Sequence, residues 1–348
     1  MPVTEGRTDV GQRQIAIIGG GAWGTALAVH LGRSGARVGL WMLEADLVAR
    51  MAERHDNPAH LPGVRIPDGV RPSTDLGTVL EGAELVLSAV PSQYAREVYR
   101  RAAPLLGAAV PFLVACKGIE EQTLALPLEV ARDELGGAER LAILSGPSFA
   151  LEVAQGRPTA VVIASESPSL AASLQQAVAS RELRIYTNED PLGVQLSGAL
   201  KNVMAIAVGI ADSLEMGTNA VAALITRGLA EMSRLVTAQG GKPATTAGLA
   251  GMGDLVLTCT GELSRNRCVG QRLGRGERLQ DILSGSRSVA EGVRTTRSAR
   301  ELAARSGVEM PIVEGVYRIL YEDGGVQEGI DRLLERPLKS EEESPRAR

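Results

Sequence analysis

Cysteine is scarce in this chain. Cys116, Cys259 and Cys268 stand among 348 residues, with no CxxC and no paired spacing. That scatter excludes a disulfide framework and a zinc site, and fits buried or idle thiols in a reducing compartment. Histidine is equally thin: His30, His55 and His60 all fall within the first 60 residues. A histidine proton relay drawn from the second half is thereby disfavoured. No apolar run approaches the roughly 18 residues needed to span a bilayer. Residues 1–12 are polar and lack the apolar h-region of a secretory leader. Net charge is −4, so nothing favours nucleic acid or an anionic membrane surface, although local basic clusters can still bind a small anion. There is no sequence repeat. The 22% charged and 44% hydrophobic fractions are those of a water-soluble globular chain long enough for about two domains. A cytoplasmic protein without an integral membrane segment is the expectation.

What the chain does have begins at Gln14-Ile15-Ala16-Ile17-Ile18, an apolar run that breaks into Gly19-Gly20-Gly21-Ala22-Trp23-Gly24. It reads as a buried strand, a tight turn and a first helical turn. Gly19, Gly21 and Gly24 carry the GxGxxG spacing: one glycine for the turn, one for close approach of a pyrophosphate, one for helix–strand packing. The helix N-terminus then offers free N–H groups and a positive dipole end to an anion. Gly35 stands where that helix would end. Arg37–Trp41 reads as a second strand. Glu44 follows 20 residues beyond Gly24, the offset of an acid that binds the ribose 2′-OH of NAD; a solvated strand-end carboxylate fits as well. Further strands are expected at 84–90, 112–116, 141–144, 161–164 and 184–187, with a helix at about 169–180. This alternation implies a mainly parallel, doubly wound sheet. Lys117 ends the strand expected at 112–116, either facing a substrate or cofactor anion or lying solvated in a turn.

Beyond Pro191 the strand signals stop, and residues 192–335 read as helices broken by glycine-rich turns. The expected organisation is α/β: an N-terminal Rossmann-like dinucleotide-binding domain over 13–190, then an all-helical domain over 191–338. A disordered tail is expected over 339–348. Lys201 is the only charged residue between Pro191 and Asp212. Desolvated beside a second cation, such a lysine has its pKa lowered toward neutrality and can act as general acid or base. A lysine snorkelling from a buried helix has the same sequence signature. At Ser264-Arg265-Asn266-Arg267, a serine N-cap and a basic first helical turn suit a phosphate, or make an ordinary capped basic helix.

Taken together, these stretches resemble the bacterial glycerol-3-phosphate dehydrogenases over residues 14–338. The shared motifs are GGGAWGTA at 19–26, NPAHLPG at 57–63, AVPSQ at 89–93, CKGIE at 116–120 and SGPSFA at 145–150. GALKN at 198–202, GLAGMGDLVLTCT at 248–260, LSRNR at 263–267 and VAEGVRT at 289–295 complete them. The resemblance implies reduction of dihydroxyacetone phosphate to sn-glycerol 3-phosphate with NAD or NADP, feeding phospholipid synthesis. It implies Lys201 as the proton donor or acceptor. It places Lys117, Gly146, Ser148, Lys201, Asn202, Asp254, Thr258, Ser264, Arg265 and Asn266 around the triose phosphate. It places Ala22, Trp23, Lys117, Ala150, Arg265, Val289 and Glu291 on the cofactor. A homodimer is a further implication.

One departure stands out. Many bacterial members carry an arginine or histidine after the second strand, whereas this chain has Trp41-Met42-Leu43-Glu44. The run looks more like the NAD-dependent eukaryotic relatives, so NADH is expected to serve at least comparably to NADPH. Two competing readings are a related dehydrogenase acting on a hydroxy or sugar acid, and a dinucleotide-sensing regulator without chemistry. GALKN and SRNR oppose the first; the presence of both Lys117 and Lys201 opposes the second.

Overall fold

The computed structural model describes residues 13–284, 290–322, 324–338, 340 and 341. Among the described residues ten strands form: β1 (Gln14–Ile18), β2 (Arg37–Trp41), β3 (Asp56–Asn57), β4 (Leu61–Arg65), β5 (Val70–Ser73), β6 (Leu85–Ser88), β7 (Phe112–Val114), β8 (Leu141–Ser145), β9 (Thr159–Ala164) and β10 (Leu183–Asn188). Eight of them make one sheet in the order β10-β9-β8-β7-β6-β1-β2-β5, while β3 and β4 form a separate antiparallel ribbon. The central strands β1, β6, β7 and β8 are apolar almost throughout because helices cover both faces of the sheet. Ile15, Ile17, Leu40 and Leu87 point into one core, and Ala16, Ile18, Val86 and Phe112 into the other.

The sheet is parallel except at β8–β9, which pair antiparallel. The order reverses between β1 and β6, which pair in parallel although far apart in sequence. Such a switch point opens a crevice at the carboxyl ends of the strands. Three features go beyond the sequence reading: the edge strand β5, the β3–β4 ribbon and the antiparallel β9. The strand expected at 84–90 is the shorter Leu85–Ser88, and that at 112–116 is Phe112–Val114.

From Pro191 onward the described residues form helices. The helix Pro191–Ser213 is the axis of a third core, with Leu200, Val203 and Ile206 wholly buried. Asp190 caps its start, accepting from Gly193 N at 2.8 Å and from Lys242 N at 2.8 Å. This helix corrects the expectation that no membrane-length apolar stretch exists. By length and composition it passes for a span, with a mean hydropathy of 1.4, yet that window lies entirely inside the protein.

Glycines let helix Arg265–Gly274 lie directly on this axis. A Cβ at Gly209 would collide with the carbonyl of Arg267, one at Gly270 with the carbonyl of Ile206, and one at Gly274 with the Ser213 hydroxyl. A single π turn, Leu249–Gly253, leads into helix Asp254–Thr260. Turns of this kind recur at functional sites.

Candidate active site

At the switch point the chain leaves β1 through Gly19, whose φ of +111° excludes most side chains. A Cβ on Gly19 would lie 2.9 Å from the Ala89 backbone, and one on Gly24 would collide with the Gly19 carbonyl. Gly21 differs: a Cβ there would meet nothing within 4 Å, and no side chain caps the helix Ala22–Arg33 that follows. Open space above uncapped N–H groups is what a bound pyrophosphate requires, so this turn fits a dinucleotide. Trp23 and Ala150 both pack on the sheet core flanking the same helix. Glu44 follows the end of β2 at the N-cap of helix Ala45–Arg54 and is exposed.

Across the crevice, the third turn of the helix Pro191–Ser213 presents Lys201. Gly198 makes this possible, because a Cβ there would lie 2.8 Å from Ser145 Oγ at the end of β8. Lys201 Nζ donates to Asp254 Oδ1 at 2.7 Å and to Thr258 Oγ1 at 2.7 Å. Lys117 Nζ donates to the other carboxylate oxygen, Asp254 Oδ2, at 2.5 Å and to the Gly146 carbonyl at 3.3 Å. Asp254, 1% exposed, is thus shared by two ammonium groups. Burial lowers the Lys201 pKa to about 8, Lys117 lowers it too, and Asp254 opposes both. A lysine poised there can give or take a proton near neutral pH.

The remaining residues surround this pair. Gln93 holds the loop that carries Lys117, donating to the Ile119 carbonyl at 2.8 Å and accepting from Glu121 N at 3.1 Å. Ser148 Oγ donates to the Gly146 carbonyl at 2.9 Å. Ser264 caps helix Arg265–Gly274 by accepting from Arg267 N at 3.2 Å, which sets Arg265 in the first turn. Asn266 Nδ2 donates to Asn202 Oδ1 at 2.9 Å, and Asn266 Oδ1 accepts from Gly292 N at 3.0 Å. That bond draws the start of helix Glu291–Arg305 into the site. Glu291 has its pKa raised by burial, while Lys117, Lys201 and Arg265 pull it down. Val289 lies outside the described residues. So does the tail expected over 339–348, except for residues 340 and 341.

Two contributors carried no chemical assignment in the sequence. Asn57, fully buried, donates to the Gly20 carbonyl at 3.1 Å and to Thr25 Oγ1 at 2.9 Å, fastening the glycine turn. His60 Nε2 lies 3.7 Å from Glu44 Oε1. The NPAHLPG motif at 57–63 contains both residues; its buried asparagine beside a proline was the available signal. Cys116 and Cys259 are buried and their thiols are pushed up to about 12, so they are inert. Among the described residues no cluster of His, Cys, Asp and Glu could hold a metal ion.

A family profile described as NAD-dependent glycerol-3-phosphate dehydrogenase N-terminus matches residues 14–171, and its C-terminus counterpart matches residues 190–331. A glycerol-3-phosphate dehydrogenase [NAD(P)+] from Geobacter sp. (strain M21) is 48% identical over 330 residues, 94% of this chain and 98% of that one. The protein of the same name from Myxococcus xanthus is 48% identical over 328 residues, covering 94% and 98%. Among solved structures, glycerol-3-phosphate dehydrogenase from Coxiella burnetii superposes with a TM-score of 0.89 at 43% identity, covering 93% of this chain and 99% of that one.

Proposed function

The chain belongs to the NAD-dependent glycerol-3-phosphate dehydrogenase family, and from that premise we propose how its own residues carry the reaction. The enzyme is an oxidoreductase that uses NAD(P) and reduces dihydroxyacetone phosphate to glycerol 3-phosphate. Lys201 is the general acid and base. The observation that supports this is its placement: a buried ammonium, 2.7 Å from Asp254, with the second ammonium of Lys117 on the same carboxylate.

When bound, the nicotinamide cofactor supplies or accepts the hydride at the C2 carbon. The protein handles the proton. In reduction, Lys201 Nζ gives its proton to the carbonyl oxygen as charge develops there, so no alkoxide has to form unpaired. In oxidation the neutral amine takes the hydroxyl proton back. Asp254 holds the ammonium in place through Oδ1, and Thr258 fixes its direction. Lys117 and Arg265, with Asn202, Asn266 and Ser264 beside them, receive the phosphate and the hydroxyl groups. Gly146 and Ser148 line the same wall. Gly19, Gly21, Ala22, Trp23 and Gly24 cradle the dinucleotide, with Ala150 and Glu291 completing its enclosure.

Cofactor choice is read at Glu44. A carboxylate accepts from ribose hydroxyls and repels a 2′-phosphate, so NADH serves at least comparably to NADPH. The division of labour follows the two parts proposed at 13–190 and 191–338, the second part working in a homodimer. The product supplies glycerophospholipid synthesis.

Loss of NADH absorbance on adding dihydroxyacetone phosphate tests the reading. Lys201→Ala should remove roughly the 10²–10⁴-fold that a positioned acid–base group contributes, with NADH binding retained. Turnover close to that of the unchanged enzyme would remove Lys201 from the mechanism.

A further inference from the structure

We propose that His60 is a specificity-determining residue that works with Glu44 on the 2′ position of the adenosine ribose. The proposal rests on Glu44 as the ribose-binding acid. The segment after β2, Leu43-Glu44, contains no cation. The fold supplies an imidazole from elsewhere. Residues 58–60 join β3 to β4, and His60 at their end places Nε2 3.7 Å from Glu44 Oε1, within ion-pair reach.

The placement is anchored. Asn57 Oδ1 accepts from His60 N at 3.3 Å while Asn57 Nδ2 donates to the Gly20 carbonyl at 3.1 Å. One buried side chain therefore fastens both the dinucleotide turn and the segment that carries His60. The neighbouring charges are matched elsewhere: Arg50 with Asp56 at 2.7 Å, and His55 with Asp68 at 3.6 Å. The His60 and Glu44 side chains are 20% and 46% exposed, so the pair meets solvent just beyond the carboxyl end of β2.

An acid and an imidazole side by side treat the two cofactors differently. Glu44 accepts from the ribose hydroxyls of NADH, and His60 steadies that carboxylate. A 2′-phosphate meets repulsion from Glu44 but a hydrogen-bond donor in His60. The site therefore admits both cofactors, and the gain in NADPH use on neutralising Glu44 depends on the imidazole.

The test compares kcat/KM for NADH and NADPH, with dihydroxyacetone phosphate, in the full-length enzyme and in Glu44→Gln, His60→Phe and the double variant. Glu44→Gln should raise the NADPH-to-NADH ratio by ~5-fold, the scale of one partly exposed charge contact. Adding His60→Phe should cancel that gain through NADPH alone, whereas adding His60→Gln, which keeps a donor, should keep part of it. An equal loss with both cofactors on replacing His60 would overturn the proposal, since a purely structural role moves both together. So would a gain that survives either replacement undiminished. An unchanged ratio in Glu44→Gln would overturn the Glu44 reading and the His60 assignment with it.

Discussion

Lys117 and Lys201 meet on one carboxylate, so within this group of three the ammonium groups outnumber the carboxylate they share. That excess suits a phosphorylated ketone. It also sets the working pH. With the Lys201 pKa lowered to about 8, the ammonium needed for reduction is present below that value and is lost as the pH rises through it. The rate of dihydroxyacetone phosphate reduction should therefore fall above about pH 8, and the rate of glycerol 3-phosphate oxidation should rise there. The neighbours shift this profile in opposite directions. Asp254 raises the Lys201 pKa and Lys117 lowers it. Lys117→Met should accordingly move the profile to higher pH and Asp254→Asn to lower pH, each with reduced activity. Identical shifts in the two variants would contradict the shared-carboxylate account.

Helix contacts carry the site as much as its side chains do. The glycines at 209 and 270 let helix Arg265–Gly274 touch the axis helix backbone to backbone, and this contact holds Asn266 against Asn202. Gly270→Ala should cost about 1–3 kcal/mol, the range of overpacked cores, and raise KM for the triose phosphate more than KM for NADH. Urea unfolding and steady-state kinetics read the two effects. Glu231 shows a different dependence. It is buried and accepts from Ile312 N at 2.8 Å and Val313 N at 3.4 Å, at the start of helix Pro311–Tyr321. Burial raises its carboxyl from 4.5 to about 7, so the folded chain holds that proton more tightly than the unfolded one. Its stabilisation is complete below about pH 4.5 and is lost as the pH rises through about 7. The Tm difference between the parent and Glu231→Gln should shrink or reverse over that interval.

Local pattern announced the helices and the central strands, since apolar periodicity and glycine turns are written within a few residues of each other. It did not announce β5, where Arg71 and Pro72 mask a strand that survives only because it lies at the sheet edge. Nor did it announce the antiparallel turn of β9, which needs no long crossover after β8. At the site, Lys201 stood out as an isolated charge and Lys117 as a lysine at a strand's carboxyl end. Their bond through Asp254 spans 53 residues from Lys201 and 137 from Lys117, a distance that only folding closes. The pairing of Glu44 with His60 was invisible for the same reason.

At the scale of the molecule, the two parts of the chain exchange core residues. Ile119, Leu124 and Leu126, from the loop after β7, are buried among the C-terminal helices. Val194 and Ala250, from the helical part, are buried under the sheet. Interlocked cores unfold together, so calorimetry of the intact chain should give one transition; two resolved transitions would mean the parts are energetically separate. The same exchange bears on synthesis of the chain. The axis helix has the hydropathy of a bilayer span and is wholly covered only once residues beyond 213 have joined it. While it emerges from the ribosome, Lys201 is the charge in the middle of an otherwise apolar segment. A lysine at the centre of such a segment opposes translocon-mediated insertion by roughly 2.5–3.5 kcal/mol. The residue proposed to move the substrate's proton thus also makes its own helix a poorer candidate for insertion before the fold can bury it.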